Sequence, residues 1–145
     1  KIKILRIFNT YGPYMSSNDG RVVSNFITQA LSKKNITISG SGNQTRSFMF
    51  IDDLVKGMIS FMNADVNFIG PLNIGNPHEI SINQLASIII ELTDSKSGIT
   101  YNKIPEDDPK KRKPDISVIS DKLSWKPLVN LEEGLKKTIH YFSNL

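Results

Sequence analysis

Segments with strand-like and helix-like periodicity alternate along this 145-residue chain. The opening stretch, KIKILRIFN, alternates polar and apolar residues and then becomes continuously apolar, which is typical of a strand buried on one or both faces. Further short strands are predicted in ITIS, RSFMFI, GPLNIGN and GITYNKI. Because amphipathic helices separate these strands, the pattern predicts an α/β architecture.

Four of the predicted helices carry an apolar stripe at helical spacing. Asp52 is predicted to cap the second of them. Ser81 and Gln84 have the spacing of a capping box at the start of the third, and Asn130 with Glu133 opens the last. A short helical piece is predicted to end at KLSWKP. The inward-facing residues are expected to be Val22, Val23, Phe26, Ile27, Ala30 and Leu31; Leu54, Val55, Met58, Ile59, Phe61 and Met62; Leu85, Ile88, Ile89 and Leu92; and Leu131, Leu135, Ile139 and Phe142.

Composition narrows the class of protein. The length and the 39% of apolar residues suit one domain, or part of one, with a real core. The chain has no cysteine, and its histidines, His78 and His140, are far apart, so we expect no disulfide and no metal site. There is no apolar run of bilayer length and no signal-peptide pattern, so we expect a soluble chain without a membrane segment.

The net charge of +4 raises the question of a polyanionic partner. The most charged stretch, IPEDDPKKRKPDIS, compensates itself: Lys110, Lys111, Arg112 and Lys113 are matched by Glu106, Asp107, Asp108 and Asp115. A neutral loop binds nucleic acid poorly, and we therefore expect no nucleic-acid partner. A non-catalytic basic module that contacts RNA or an acidic protein through KKRK stays as an alternative.

Arginine is used sparingly in this chain. Of 18 cationic residues only four are arginine, and Arg21, Arg46 and Arg112 lie in or beside loops rich in Gly, Pro, Asn or Asp. The planar guanidinium fork matches phosphate or carboxylate, so these positions indicate anion recognition. The alternative for each is an internal ion pair with a neighbouring aspartate. SGSGNQTRSF lacks the spacing of a phosphate-binding loop and is predicted to be a turn with Arg46 at its exit.

NTYGP follows the first predicted strand, at the edge where open α/β sheets bind ligands. Tyr11 could be a catalytic phenol, although an aromatic that closes the strand end with its hydroxyl in water is the favoured interpretation. Asp52 and Asp53 could be paired catalytic carboxylates, but capping and helix-dipole complementarity account better for their position. Trp125 is expected to pack in the core or against a loop. The residues themselves do not reveal a reaction.

The stretches RIFNTYGP, DGRVVSNFI, SGSGNQTRSFMFIDDLVKGM, GPLNIGNP and DDPKKRKPDI occur in this order. Together they resemble the C-terminal half of the extended short-chain dehydrogenases/reductases that act on nucleotide sugars. Within that superfamily the chain is most similar to the UDP-glucuronate decarboxylases, or UDP-xylose synthases. The resemblance implies the C-terminal part of an NAD(P)-binding Rossmann-type fold with its smaller substrate-binding subdomain. Residues 1–145 would form one fragment, without the N-terminal cofactor-binding half.

The resemblance also implies a reaction. Bound NAD would accept hydride from C4 of UDP-glucuronate, the resulting 4-keto sugar would lose CO2, and the returned hydride would give UDP-xylose. A dTDP-glucose 4,6-dehydratase or a UDP-sugar 4-epimerase of the same superfamily is the alternative. The full-length protein would be a homodimer, cytoplasmic, or in the Golgi or ER lumen of a eukaryote.

By the same resemblance Arg21, Arg46 and Arg112 would bind the substrate, and Arg112 would also assist decarboxylation. Asn9 and Thr10 would lie beside the nicotinamide. The catalytic Tyr-x-x-x-Lys pair of the superfamily is absent, so the chain alone is not expected to catalyse. Without the other half of the sheet, the face of KIKILRIF is expected to be bare and apolar.

Overall fold

The computed structural model describes residues 2–103 and 111–145, and of Lys111 and Arg112 it describes the backbone alone. Strands and helices alternate through this part, and the predicted α/β architecture is confirmed. The strands are β1 (Leu5–Ile7), β2 (Thr10–Tyr11), β3 (Ile36–Ser39), β4 (Thr45–Ser47), β5 (Met49–Phe50), β6 (Leu72–Ile74), β7 (Glu79–Ser81), β8 (Ile99–Asn102) and β9 (Lys111–Arg112). The helices are α1 (Val22–Leu31), α2 (Ile51–Asn63), α3 (Ile82–Leu92), α4 (Ser117–Leu123) and α5 (Leu131–Phe142).

Most strand pairs are parallel. β1 pairs with β6, β2 with β5 and β3 with β8, all in parallel. β4 lies between antiparallel β7 and parallel β9. The predicted strand RSFMFI is interrupted at Phe48, so β4 and β5 join different sheets. The chain thereby passes from the sheet that contains Arg46 to the one that contains Thr10.

The core has two parts. The larger joins α1, α3 and α5 to β3 and the strand ends around Tyr11 and Phe50. The smaller joins α2 and α4 to β6, around Leu72, Ile74 and Trp125. Trp125 is buried, as its packing interpretation requires. The parallel strands therefore receive helices from two separate packing groups.

The predictions for α1, α3 and α5 are confirmed, because in each helix the central residues of the apolar stripe are buried. The capping box of α3 is present: Ser81 Oγ accepts from the Gln84 backbone N–H at 3.1 Å, and Gln84 Oε1 accepts from the Ser81 N–H at 3.0 Å. At α5, Asn130 Oδ1 accepts from the Glu133 N–H at 2.9 Å.

The predictions for α2 were partly wrong. The helix begins at Ile51 after Phe50, without a side-chain cap, so Asp52 is not the predicted N-cap. Leu54 and Phe61 are buried as expected, and Met58 packs partly, whereas Val55, Ile59 and Met62 are exposed. The helix carries apolar residues on two faces, and only one of them lies against the smaller core.

The strand β1 was expected to be buried, and that expectation was wrong in this structure. Ile2, Ile4 and Ile7 are 78%, 50% and 52% exposed, while Leu5 packs partly against the smaller core. The bare apolar face predicted for KIKILRIF is thus confirmed.

Candidate functional site

A cavity of about 890 Å³ opens beyond the C-terminal end of β1. Asn9 and Thr10 line it from the end of the strand, Arg21 from the start of α1, and Arg46 from β4. Four residues predicted from the sequence thus meet in one cavity, although they are spread along the chain from position 9 to position 46. The other lining residues are Ile7, Phe8, Met15, Gly20, Val22, Val23, Asn25, Phe26, Thr37, Ser39, Gln44, Phe48 and Ile82.

Arg46 is the buried cation of this wall. Its side chain lies in β4 with 7% of the residue exposed, and Nη1 donates to the Thr45 carbonyl at 2.8 Å. A buried guanidinium loses much of its hydration, so an anionic ligand that reaches it gains more than at an exposed cation. This position suits recognition of a phosphate or carboxylate.

The first turn of α1 forms another part of the wall. Asp19 organises it, because Oδ1 accepts from the Arg21 N–H at 3.0 Å and from the Ser24 hydroxyl. Oδ2 lies 3.7 Å from Nε of Arg21, so the aspartate alternative raised for Arg21 is found here. Both partners reach solvent, and an exposed pair is worth about 0–1 kcal/mol. The positive end of the helix also faces this region, which favours an anion.

For Arg112 the structure describes the backbone alone. β9 pairs in parallel with β4, and Arg112 is the register partner of Arg46. Its side chain, like residues 104–110 of the charged loop, lies outside the described residues. The structure therefore brings the Arg112 backbone beside the strand of Arg46, and its predicted binding role stays a prediction.

Sequence reasoning missed the contribution of β3 to this cavity. Thr37 and Ser39 line it, whereas Ile36 and Ile38, which alternate with them along the strand, are buried. Alternation along a strand sends these two pairs to opposite faces, so the pattern ITIS held a usable signal. Gln44 was also missed, and its Nε2 donates to the Ser39 carbonyl at 2.6 Å. These polar groups give the cavity neutral hydrogen-bonding atoms beside its arginines.

Tyr11 does not line the cavity. It is 2% exposed, and its hydroxyl donates to the Leu131 carbonyl at 3.1 Å, so the predicted contact of this hydroxyl with water was wrong. Burial, together with the negative charges of Asp53 and Glu133, raises the pKa of Tyr11 well above its ordinary value. The phenol is a structural group between the strand end and α5.

Asp52 and Asp53 have different environments. Asp52 is exposed, whereas Asp53 Oδ2 accepts from the N–H groups of Leu128 at 3.0 Å and Val129 at 2.9 Å. The Asp53 carbonyl also accepts from Trp125 Nε1 at 3.1 Å. Asp53 therefore anchors the loop before α5, a role that neither sequence interpretation anticipated. The two residues do not form a catalytic carboxylate pair.

Within residues 2–103 and 111–145 no group of three or more His, Asp or Glu side chains gathers where a metal ion could bind. Every described helix is too short or too polar to cross a lipid bilayer.

A model of the NAD dependent epimerase/dehydratase family matches residues 1–75, just over half of the chain. The chain belongs to this family. The matched region contains Asn9, Thr10, Arg21 and Arg46.

Curated relatives within this epimerase/dehydratase family are decarboxylases. The chain is 51% identical over 142 residues to UDP-glucuronic acid decarboxylase 1 of Xenopus tropicalis, which covers 98% of this chain and 33% of the relative. It is 49% identical over 135 residues to UDP-glucuronic acid decarboxylase 3 of Arabidopsis thaliana, which covers 93% of this chain and 39% of the relative. The chain thus spans between a third and two fifths of these relatives, at their C-terminal end.

Solved structures of the family share the fold. The UDP-glucuronic acid 4-epimerase of Bacillus cereus, solved with UDP-glucuronic acid and NAD, superposes with a TM-score of 0.91 at 33% identity. The match covers 99% of this chain and 45% of the epimerase. The predicted fold, the C-terminal part of an extended short-chain dehydrogenase/reductase, is therefore confirmed.

Tyr14 directly follows the NTYGP segment. Its ring is exposed and lies 4.9 Å from that of Tyr141, and Tyr14 is not part of the cavity wall.

Proposed function

We propose that this chain is the substrate-binding part of an NAD-dependent UDP-glucuronate decarboxylase, which forms UDP-xylose and CO2. The observation that carries the proposal is the cavity in which Arg21 and Arg46 meet Asn9 and Thr10. Its volume suits a nucleotide-sized ligand. The decarboxylase relatives support the reaction, and the chain spans about a third of their length.

The substrate has a diphosphate and a carboxylate. The cavity wall has one buried cation, Arg46, and one exposed cation, Arg21. The buried guanidinium of Arg46 would bind the diphosphate, because a fixed fork pairs with two oxygens at once. The exposed Arg21 would exchange Asp19 for a substrate oxygen at small cost. Arg112, whose backbone is paired with that of Arg46, would act at the sugar carboxylate.

The cofactor side of the cavity is the end of β1. The structure describes no hydrogen bond from the side-chain amide of Asn9 to another described residue, so its donor and acceptor can meet a carboxamide. Asn9 and Thr10 would hold NAD there, and the bound cofactor would take hydride from the sugar and return it. The arginines would hold the carboxylate while the 4-keto group accepts the electron pair left by the departing CO2, and the resulting enolate would take a proton from water at C5 before the hydride returns.

The proposal assigns residues 1–145 to one C-terminal fragment that works with a cofactor-binding part supplied by a longer polypeptide. The tyrosine base and its lysine would come from that part, because no Tyr-x-x-x-Lys occurs in this sequence.

A second candidate is a 4-epimerase, favoured by the superposition on the UDP-glucuronic acid 4-epimerase. Both enzymes would oxidise C4 of the same substrate, so binding does not separate them. The two enzymes are distinguished by whether the sugar carboxylate is released as CO2 or kept.

Isothermal titration of UDP tests the site. The protein used is the joined protein: the part of the Arabidopsis thaliana decarboxylase 3 that precedes the matched region, followed by this chain. Arg46→Ala is expected to weaken UDP binding about 10- to 100-fold, since a charge-assisted hydrogen bond contributes about 1.5–3 kcal/mol. Arg46→Lys keeps the positive charge but lacks the planar guanidinium, so its affinity for UDP should lie between those of wild type and Arg46→Ala.

Lys126→Ala, which removes an exposed cation that is not part of the cavity wall, is the matched control and should leave UDP binding unchanged. Equal affinities for wild type, Arg46→Ala and Lys126→Ala, all with native melting temperatures, would contradict the proposed site.

A further inference from the structure

We propose that Glu79 is a positioning residue, whose carboxylate holds β9 beside β4 and thereby keeps Arg112 next to Arg46. The inference rests on the proposed function, which assigns Arg112 to the sugar carboxylate and Arg46 to the diphosphate. Glu79 is not among the described residues of the cavity wall. It therefore acts through β9 and not by contact with the substrate.

The first observation is that the Glu79 carboxylate links the three strands of the β7–β4–β9 sheet. Glu79 lies on β7, and its Oε1 accepts from the Thr45 hydroxyl of β4 at 2.8 Å. Its Oε2 lies 3.9 Å from Nζ of Lys113, the residue that directly follows β9. The Glu79 side chain is 19% exposed, so water and salt screen these contacts less than those of a fully exposed ion pair.

The second observation is the face of the sheet on which Glu79 lies. Ser47 is opposite Glu79 in the antiparallel pair of β4 and β7. Residues that are directly opposite share a face, whereas neighbours along a strand alternate, so Glu79 and Arg46 lie on opposite faces. The carboxylate is thus separated by the sheet from an anion bound at Arg46. Its negative charge can hold β9 without repelling the substrate directly.

The third observation is that β9 is too short to hold itself in place. It has two residues, and its two register pairs with β4 are Lys111 with Thr45 and Arg112 with Arg46. So short a ladder supplies few backbone hydrogen bonds, and isolated strand pairs are marginal in water even when they are longer. The position of the Arg112 backbone therefore depends on side-chain contacts that flank β9.

The segment after Lys113 is also held, at the end of β6. Pro114 is buried, and a Cβ on Gly75 would approach Cγ of Pro114 to 2.8 Å, so the two residues are in close contact. The side-chain amide of Asn73 donates to the Asp115 carbonyl at 3.1 Å. The chain that leaves β9 is thus fixed at β6 by these contacts. Glu79 supplies the fixed point nearer to Arg112.

The alternative is that Glu79 stabilises the sheet as a whole. Such a role would loosen β4 as well as β9 when the carboxylate is lost, so binding at Arg46 would suffer too. A residue that positions Arg112 has a narrower effect. Its loss matters only for a ligand that Arg112 binds, and only while Arg112 is present.

Isothermal titration of the joined protein, stripped of NAD so that the substrate is bound and not turned over, tests the inference. Glu79→Gln removes the negative charge and keeps the size of the side chain. We expect it to weaken UDP-glucuronate binding about 3- to 10-fold when Arg112 is present, and less than about 2-fold in the Arg112→Ala background. Binding of UDP, which lacks the sugar carboxylate, should change less than about 2-fold.

Glu132→Gln is the matched control. It breaks another glutamate–lysine pair, in which Glu132 lies 2.6 Å from Lys136, on an exposed part of α5. It should leave the affinities for both ligands unchanged. Melting temperatures close to that of wild type show that each variant is folded.

Equal weakening of UDP and UDP-glucuronate binding by Glu79→Gln would overturn the proposal in favour of general stabilisation of the sheet. No weakening of either, or the same weakening with and without Arg112, would overturn it as well. So would unchanged UDP-glucuronate binding in Arg112→Ala, because Glu79 would then have nothing to position.

Failure of this inference is distinguishable from failure of the proposed function. UDP affinity that falls in Arg46→Ala, with no coupling between Glu79 and Arg112, would leave the proposed function standing and remove the inference. Equal UDP affinity of wild type and Arg46→Ala would contradict the proposed site itself, and the inference with it.

Discussion

At the scale of single residues, three buried polar groups have different surroundings. Arg46 lines the cavity, and its role in binding an anion stays a prediction. Tyr11 and Asp53 have comparable burial but bond to backbone groups around α5. Residue type alone did not separate these roles, because a buried tyrosine and an aspartate pair also occur in active sites. Their positions separate them, because Arg46 lines the cavity whereas Tyr11 and Asp53 do not.

Asp53→Ala is expected to lower the free energy of unfolding by about 2–4 kcal/mol, because it leaves the backbone N–H groups of Leu128 and Val129 without an acceptor. Asp52→Ala, one residue away and exposed, should cost less than about 1 kcal/mol. Urea unfolding followed by circular dichroism measures both. Equal costs would contradict the anchoring role of Asp53.

The raised pKa of Tyr11 predicts that the free energy of unfolding depends on pH. Its pKa is raised in the folded chain, so above pH 10, near the ordinary value, the unfolded chain loses the phenol proton first. The stabilising contribution of the Tyr11 hydroxyl to the free energy of unfolding is therefore complete below about pH 10 and is lost as the pH rises above it. The stability advantage of wild type over Tyr11→Phe should shrink by about 1.4 kcal/mol per pH unit above 10. A difference that does not change between pH 8 and pH 11 would contradict the burial of this hydroxyl.

At the scale of elements, the capped starts of α3 and α5 and the helices with one apolar face were predictable from the sequence. The start of α2, and the burial of elements with apolar residues on two faces, were not. The cap of α3 at Ser81 and that of α5 at Asn130 act within a few residues, so local sequence specifies them. The burial of α2 and β1 depends on what packs against each face. A pattern of apolar residues shows that Ile59 suits burial, but not which unit covers it.

The contact between α5 and the strand end depends on Gly134. A Cβ at this position would overlap the Tyr11 hydroxyl oxygen and approach Cδ2 of Phe50 to 2.8 Å. Gly134→Ala is expected to destabilise the fold by about 1–3 kcal/mol through overpacking.

Combination with Tyr11→Phe, which removes the overlapping oxygen, should recover part of this loss, with a coupling energy of at least about 0.5 kcal/mol. A double-mutant cycle of unfolding free energies measures the coupling. Strict additivity would show that α5 does not meet Tyr11 as described.

At the scale of the whole molecule, the site was predictable only in part. Sparing use of arginine in loops identified Arg21 and Arg46, and the strand end identified Asn9 and Thr10. Their convergence in one cavity depends on sheet order, which no local pattern encodes. Thr37 and Ser39 were not predicted, because the alternation in ITIS places them on one face of β3 without indicating that this face lines a cavity. The homodimer and the cellular compartment stay predictions for the longer protein.

The most direct measurement of the central claim is the product that the joined protein forms from UDP-glucuronate with NAD, identified by mass spectrometry. We expect a UDP-linked pentose and one CO2 per turnover, with both lost in Arg46→Ala and retained in Lys126→Ala. A UDP-linked product that keeps all six sugar carbons, and that chromatography separates from UDP-glucuronate, would contradict the decarboxylase assignment and favour the epimerase alternative.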